Sequence, residues 1–168
     1  MMNLLVLALF AAVTPPVSVD AALVEDRFLD IRILGQSDVP LLVTRRTFLG
    51  PYVNVEVKSV DGQRIGYLGP RATVTVPNVC EFSLLQKDEF FGRRIDLRAP
   101  WVVSLVGGGQ APLADGQRYE LTVTYEDPEA VHLSKQARSE LSRKWHKFAE
   151  LSGEVQAKPI RVQLAAGP

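Results

Sequence analysis

The 168-residue chain holds a single cysteine, Cys80, and only two histidines, His132 and His146. One cysteine closes no intramolecular disulfide, makes no CxxC pair and builds no cysteine-based zinc cluster. In the apolar run Val76-Pro77-Asn78-Val79-Cys80 it reads as a small buried hydrophobe. The chain also lacks an excess of charge, with 19 Lys and Arg against 19 Asp and Glu. That balance excludes a protein built as a whole to lie on nucleic acid, and leaves room only for a local charged surface. No apolar run reaches the roughly 20 residues that a membrane-crossing helix needs. A GxSxG elbow, a P-loop and a GxGxxG turn are all missing, and Gly107-Gly108-Gly109 precedes Gln110-Ala111-Pro112 instead of a helix, so it reads as a hairpin loop. Repeats, low-complexity tracts and interdomain linkers are absent too. What is present, 46% hydrophobic residues with no net charge, is the composition of a chain that folds into one domain without metal or disulfide staples.

Residues 1 to 13, MMNLLVLALFAAV, form an apolar run ended by Thr14-Pro15-Pro16. Its length suits the hydrophobic region of a secretory signal, although its first residues, Met1-Met2-Asn3, carry no Lys or Arg. Val19-Asp20-Ala21 offers the small or apolar residues that a signal peptidase reads. The expected organisation is therefore a signal peptide over 1–21, cleaved after Ala21, and one domain over 22–168, exported to the periplasm or the extracellular space. An uncleaved anchor is the alternative.

From Leu29 onward, short runs rich in Val, Ile, Thr, Tyr and Phe alternate with Gly, Pro, Asp and Asn, the pattern of a β-sandwich or barrel. The expected strands are 29–34, 41–48, 52–60, 72–76, 80–85, 90–97, 101–106, 119–125 and 160–164. In 52–60 the sequence alternates Val53, Val55 and Val57 against Asn54, Glu56 and Lys58, so one face is buried. Asp61-Gly62 then predicts a two-residue hairpin turn with positive φ at both positions.

Asp127-Pro128-Glu129 combines a capping acceptor, a proline at a first helical position and an early acid. Leu133, Ala137, Leu141, Trp145 and Phe148 follow at spacings of three and four, predicting one amphipathic helix over about 128–151, inserted between the last two strands. Gly153 is placed to stop it in a left-handed conformation.

The run Leu113-Ala114-Asp115-Gly116-Gln117-Arg118-Tyr119-Glu120-Leu121-Thr122-Val123 resembles the segment that opens the penultimate strand of immunoglobulin-like and fibronectin-type sandwiches. There the tyrosine hydroxyl bonds to backbone upstream and fixes the corner between two sheets. A wider likeness runs through Asp61-Gly62, Ile65, Tyr67 to Gly69, Phe82, Leu84-Leu85, Ile95 to Leu97 and Gly116 to Tyr125. Over about residues 25–125, with 152–164 as the returning last strand, it is similar to the immunoglobulin-like domain that precedes the catalytic domain in deuterolysin-type metalloendopeptidases, and to free-standing secreted relatives. The resemblance implies an antiparallel immunoglobulin-like sandwich. It implies no peptidase activity, because the HExxH zinc signature is missing: His132 is followed by Leu133-Ser134 and His146 by Lys147-Phe148.

The two histidines, fourteen residues apart, would stand about 20 Å apart along a helix and cannot share a metal there. The carboxylate pairs Asp88-Glu89 and Glu126-Asp127 fall at strand ends, where solvated turns are usual. The basic side chains carry more information. Lys135, Arg138, Arg143, Lys144 and Lys147 stand on the expected helix against only Glu140 and Glu150. A solvated face is the plain reading, and docking to an acidic protein or an anionic envelope surface is the functional one. Arg45-Arg46 and Arg93-Arg94 are further doublets, whose members strand alternation sends to opposite faces. The expected function is thus an exported, non-enzymatic binding or accessory module, with a peptidase inhibitor or prodomain-like partner as the alternative. No cofactor and no nucleic acid are expected. Gly116 and Tyr119 are assigned to the corner, and Trp145 and Phe148 to packing the helix.

Overall fold

The computed structural model describes residues 15–44, 52–68, 82–99, 103–106, 108–127 and 133–164. Among them the chain is mainly β, with antiparallel sheets and one helix. One sheet has the order β1-β2-β7, formed by β1 (Val17–Val24), β2 (Phe28–Gly35) and β7 (Phe90–Asp96). β3 (Leu41–Thr44) pairs with β6 (Phe82–Leu85). The larger sheet runs β11-β10-β4-β5-β8-β9, from β4 (Val53–Ser59), β5 (Arg64–Leu68), β8 (Val103–Leu105), β9 (Gln110–Ala111), β10 (Arg118–Glu126) and β11 (Glu154–Gln156). β12 (Ile160–Gln163) also pairs with β10. Since β11 lies against Thr124–Glu126 and β12 against Arg118–Leu121, the two are one returning strand, interrupted at Ala157-Lys158-Pro159.

Strand alternation decides which side chains meet. Leu29, Ile31 and Ile33 on β2, Val53, Val55 and Val57 on β4, and Tyr119, Leu121, Val123 and Tyr125 on β10 are all buried in one cluster drawn from both sheets. Burial at that extent dominates the favourable free energy of such a fold. The β3–β6 pair continues the β2–β7 ladder past a break. Backbone bonds from Gly35 N–H to Glu89 O (2.9 Å) and from Asp88 N–H to Gly35 O (3.1 Å) span it. A side chain at Gly35 would overlap the carbonyl of Gln86, so the ladder can close only over glycine.

Several expectations need correction. The Asp61-Gly62 hairpin forms, but only Gly62 takes positive φ (85°). Gly62 N–H bonds to Ser59 O and Ser59 N–H to Gln63 O, which makes a three-residue loop closed by a bulge. The Asp61 carboxylate instead accepts a bond from the Ser59 hydroxyl, which holds its pKa below the usual carboxylate value.

The helix α1 spans Lys135–Lys144, capped by Ser134, whose hydroxyl accepts from Ala137 N–H at 3.1 Å. It ends at Trp145, which is extended, well short of 151. The cause is strand pairing: Leu42 N–H bonds to Ala149 O and Ala149 N–H to Pro40 O, both within 2.9 Å. Gly153 does have positive φ, but it lies in the approach to β11. The first turn expected over 128–132 lies outside the described residues, as do Cys80, His132, Arg45-Arg46 and the strand expected at 72–76. Ala21, after which the expected boundary lies, is a residue of β1.

Candidate functional site

The insert between β10 and β11 is built from its two ends. At its root Asp127 is 2% exposed, so it is not the solvated turn residue expected beside Glu126. Its carboxylate accepts from Thr44 N–H at 2.9 Å, from the Thr44 hydroxyl at 3.1 Å and from the Tyr125 hydroxyl at 3.5 Å. It ties the end of β10 to β3, while α1 is capped by Ser134. Burial, with the Asp127 charge beside it, pushes the Tyr125 hydroxyl pKa well up, so Tyr125 stays a neutral donor. At the far end, Ala149 bridges to Leu41. Both ends of the insert therefore return to β3.

Between these points Leu141, fully buried, packs with Leu42 and Phe82 in a second small core, against which Leu133, Leu84, Trp145 and Phe148 rest partly buried. Trp145 and Phe148 thus pack the insert as expected, although from the segment after the helix.

All five basic residues are exposed. They do not share one face. Measured around the axis from Leu141, Arg138 and Lys135 lie about 60° and 120° to one side, and Lys144 and Arg143 about 60° and 160° to the other. Lys147 stands beyond the helix end. Arg138 is neutralised by Glu150 at 3.0 Å, and the Lys144 ammonium sits 4.4 Å over the Trp145 ring. Arg143 donates to the Ser139 carbonyl at 3.4 Å and to no other group among the described residues. Lys135, Arg143, Lys144 and Lys147 have no carboxylate partner among the described residues. Four outward cations at the surface of a docked insert can attract an anion electrostatically, although they do not enclose one.

At the corner, Tyr119 Oη accepts from Ala114 N–H at 2.9 Å and donates to Gln117 Oε1 at 3.2 Å. Gly116 has φ 73°, and its N–H bonds to Leu164 O at 2.8 Å. That conformation, unfavourable to any residue with a Cβ, lets the turn reach the last strand. The hydroxyl-to-backbone bond expected from the Gly116–Tyr119 spacing is therefore present.

An open cleft of about 690 Å³ lies between the β3–β6 pair and the start of β7, lined among others by Thr44, Tyr52, Leu84, Asp88, Glu89 and Phe90. Glu89 accepts from Gln86 N–H at 2.9 Å, so it closes its own turn. No group of three or more His, Cys, Asp or Glu residues suited to a metal occurs among the described residues. His146 is exposed. Two features lie beyond sequence reasoning. Asp127 resembles a helix cap because proline follows it. The outer-face pairs Asp30–Arg94 (2.6 Å) and Arg27–Asp96 (Nε to Oδ1, 3.0 Å) depend on the β2–β7 register, which composition does not reveal. Compared with known proteins, the chain matches no protein-family model and no curated protein.

Proposed function

We propose that this chain is an exported immunoglobulin-like β-sandwich that acts as a non-enzymatic binding or accessory module, meeting an acidic partner through its inserted segment. The strand orders β1-β2-β7 and β12-β10-β4-β5, together with the Tyr119 corner, support the immunoglobulin-like reading. The apolar run over 1–13 supports export. One observation carries the function: Lys135, Arg143, Lys144 and Lys147 are exposed without carboxylate partners among the described residues, on a segment fixed at both ends to β3. Fixing the backbone lowers the ordering cost of binding. In this reading the protein is not an enzyme, needs no cofactor and meets no nucleic acid; the acidic partner is a protein or an anionic envelope surface.

The test is a charge-reversal variant, Lys135→Glu, Arg143→Glu, Lys144→Glu and Lys147→Glu together, compared with wild type in envelope-fraction pulldowns and vesicle sedimentation at low salt. Loss of capture at unchanged far-UV circular dichroism is expected, whereas undiminished capture rejects the insert as the binding surface.

A second reading, a peptidase inhibitor, draws on the β8–β9 hairpin, where Leu105 and Val106 are exposed on a tip held by Leu105 N–H to Gly109 O and Val106 N–H to Ile65 O. Under it, Val106→Asp abolishes inhibition of a responsive protease and leaves envelope capture intact.

A further inference from the structure

Export implies a cut, and the bond best suited to a signal peptidase, Ala21–Ala22, lies in the middle of β1. That strand pairs with β2 over its whole length, from Val17 opposite Gly35 to Val24 opposite Phe28. Val17 is fully buried at the first position of the ladder, and Val19, Ala21 and Leu23 pack against the main core. Upstream, Gln36 N–H bonds to Pro16 O at 2.9 Å and Gln36 Nε2 to Ser18 Oγ at 3.0 Å. β1 also runs beside β10, β11 and β12, so it covers the seam where the two sheets meet. A cut after Ala21 would remove the first five residues of the strand, uncover the inner row at Ile31 and Ile33, and strip the ladder partners from β2 between Ile31 and Gly35.

We infer that the mature protein retains β1 in full, so that any processing cut falls on the N-terminal side of Val17 and the Ala21–Ala22 bond is not the processing site. The inference rests on the export reading for the existence of a cut, and on β1 alone for its position. A cut at Ala21–Ala22 would leave a domain without the strand residues that close its core, whereas a cut before Val17 leaves the ladder whole.

The full-length chain, produced in an exporting bacterial host and recovered from outside the cytoplasm, is read by intact mass and N-terminal sequencing. A terminus at or before Val17 is expected; a terminus at Ala22 overturns the inference while leaving export standing. Retention of the whole chain in the cytoplasm would instead count against export, and the second measurement then decides. Val17→Asp in the full-length chain places a charge in the core, and a fall in melting temperature of roughly 10 °C or more is expected, with a smaller fall of about 4 °C for Val17→Ala should the first variant not fold. If the recovered Val17→Ala protein melts with wild type, Val17 is not part of the fold and the inference fails.

Discussion

At Asp127 a carboxylate does the work of a strand neighbour. It satisfies both the backbone N–H and the hydroxyl of Thr44 at a point where the chain leaves β10 for the insert. Asp127→Ala removes the acceptor of the Thr44 N–H, the Thr44 hydroxyl and the Tyr125 hydroxyl and is expected to cost about 2–3 kcal/mol, while Asp127→Asn, which keeps an acceptor, should cost less. Urea titration of the two variants distinguishes them, and equal losses would mean that the charge, not the acceptor, matters. Tyr119→Phe removes one hydroxyl bonded to Ala114 N–H, for an expected loss of about 1 kcal/mol in the same assay. The two residues differ in how far the sequence betrays them. Tyr119 sits three residues after a glycine, the spacing from which its hydroxyl-to-backbone bond is expected. Asp127 is followed by proline, and that pair is equally at home at a helix start, so its burial emerges only once β3 is brought beside it.

Among the elements, α1 depends most on a few side chains, since Leu141 is its sole buried residue. Leu141→Ala is expected to cost about 2–5 kcal/mol. Its cluster with Leu42 and Phe82 is separate from the main core, so the loss should be local. Hydrogen-exchange protection is expected to fall for amides 138–145 and to persist in β10; equal loss in both would show that the insert and the sheets unfold together. The strands with buried alternation, β4 and β10, are legible because period two admits one register. α1 is legible in kind but not in length. Trp145 and Phe148 continue a helical spacing, yet the backbone at Ala149 gains more by pairing with β3 than by adding turns. β1 is hidden by its place: small and apolar residues directly after an apolar run read as the end of a signal until Val17 is seen in the core. Strands as short as β9 leave no periodicity to read.

For the whole molecule, the neutral charge count hides a set of pairs that lash neighbouring strands and turns. Asp30 and Asp96 are held below the usual carboxylate pKa by hydrogen bonds from Arg94 and Arg27, and Asp38 by one from Lys87. A depressed folded-state pKa gives stability that is present above the ordinary value of 3.8 and lost as pH falls through the folded value. The fold should therefore keep its stability down to about pH 4 and lose it progressively below. Because these pairs are solvent-exposed in part, added salt should shrink that acid-side loss. Arg94→Gln tested by pH-dependent thermal melting should flatten the acid limb; a profile identical to wild type would leave Asp30 without a role in it.

The insert leaves the sheet at Asp127, bonded to Thr44, and comes back at Ala149, bonded to Pro40 and Leu42. Exit and entry thus lie within a single strand's length of each other, so the insert starts and ends on β3. An insert anchored in this way has the geometry of a cassette. Its length and surface can drift at small entropic cost, because closing a longer loop over the same two points costs only slightly more, while the sheets that carry it keep their register.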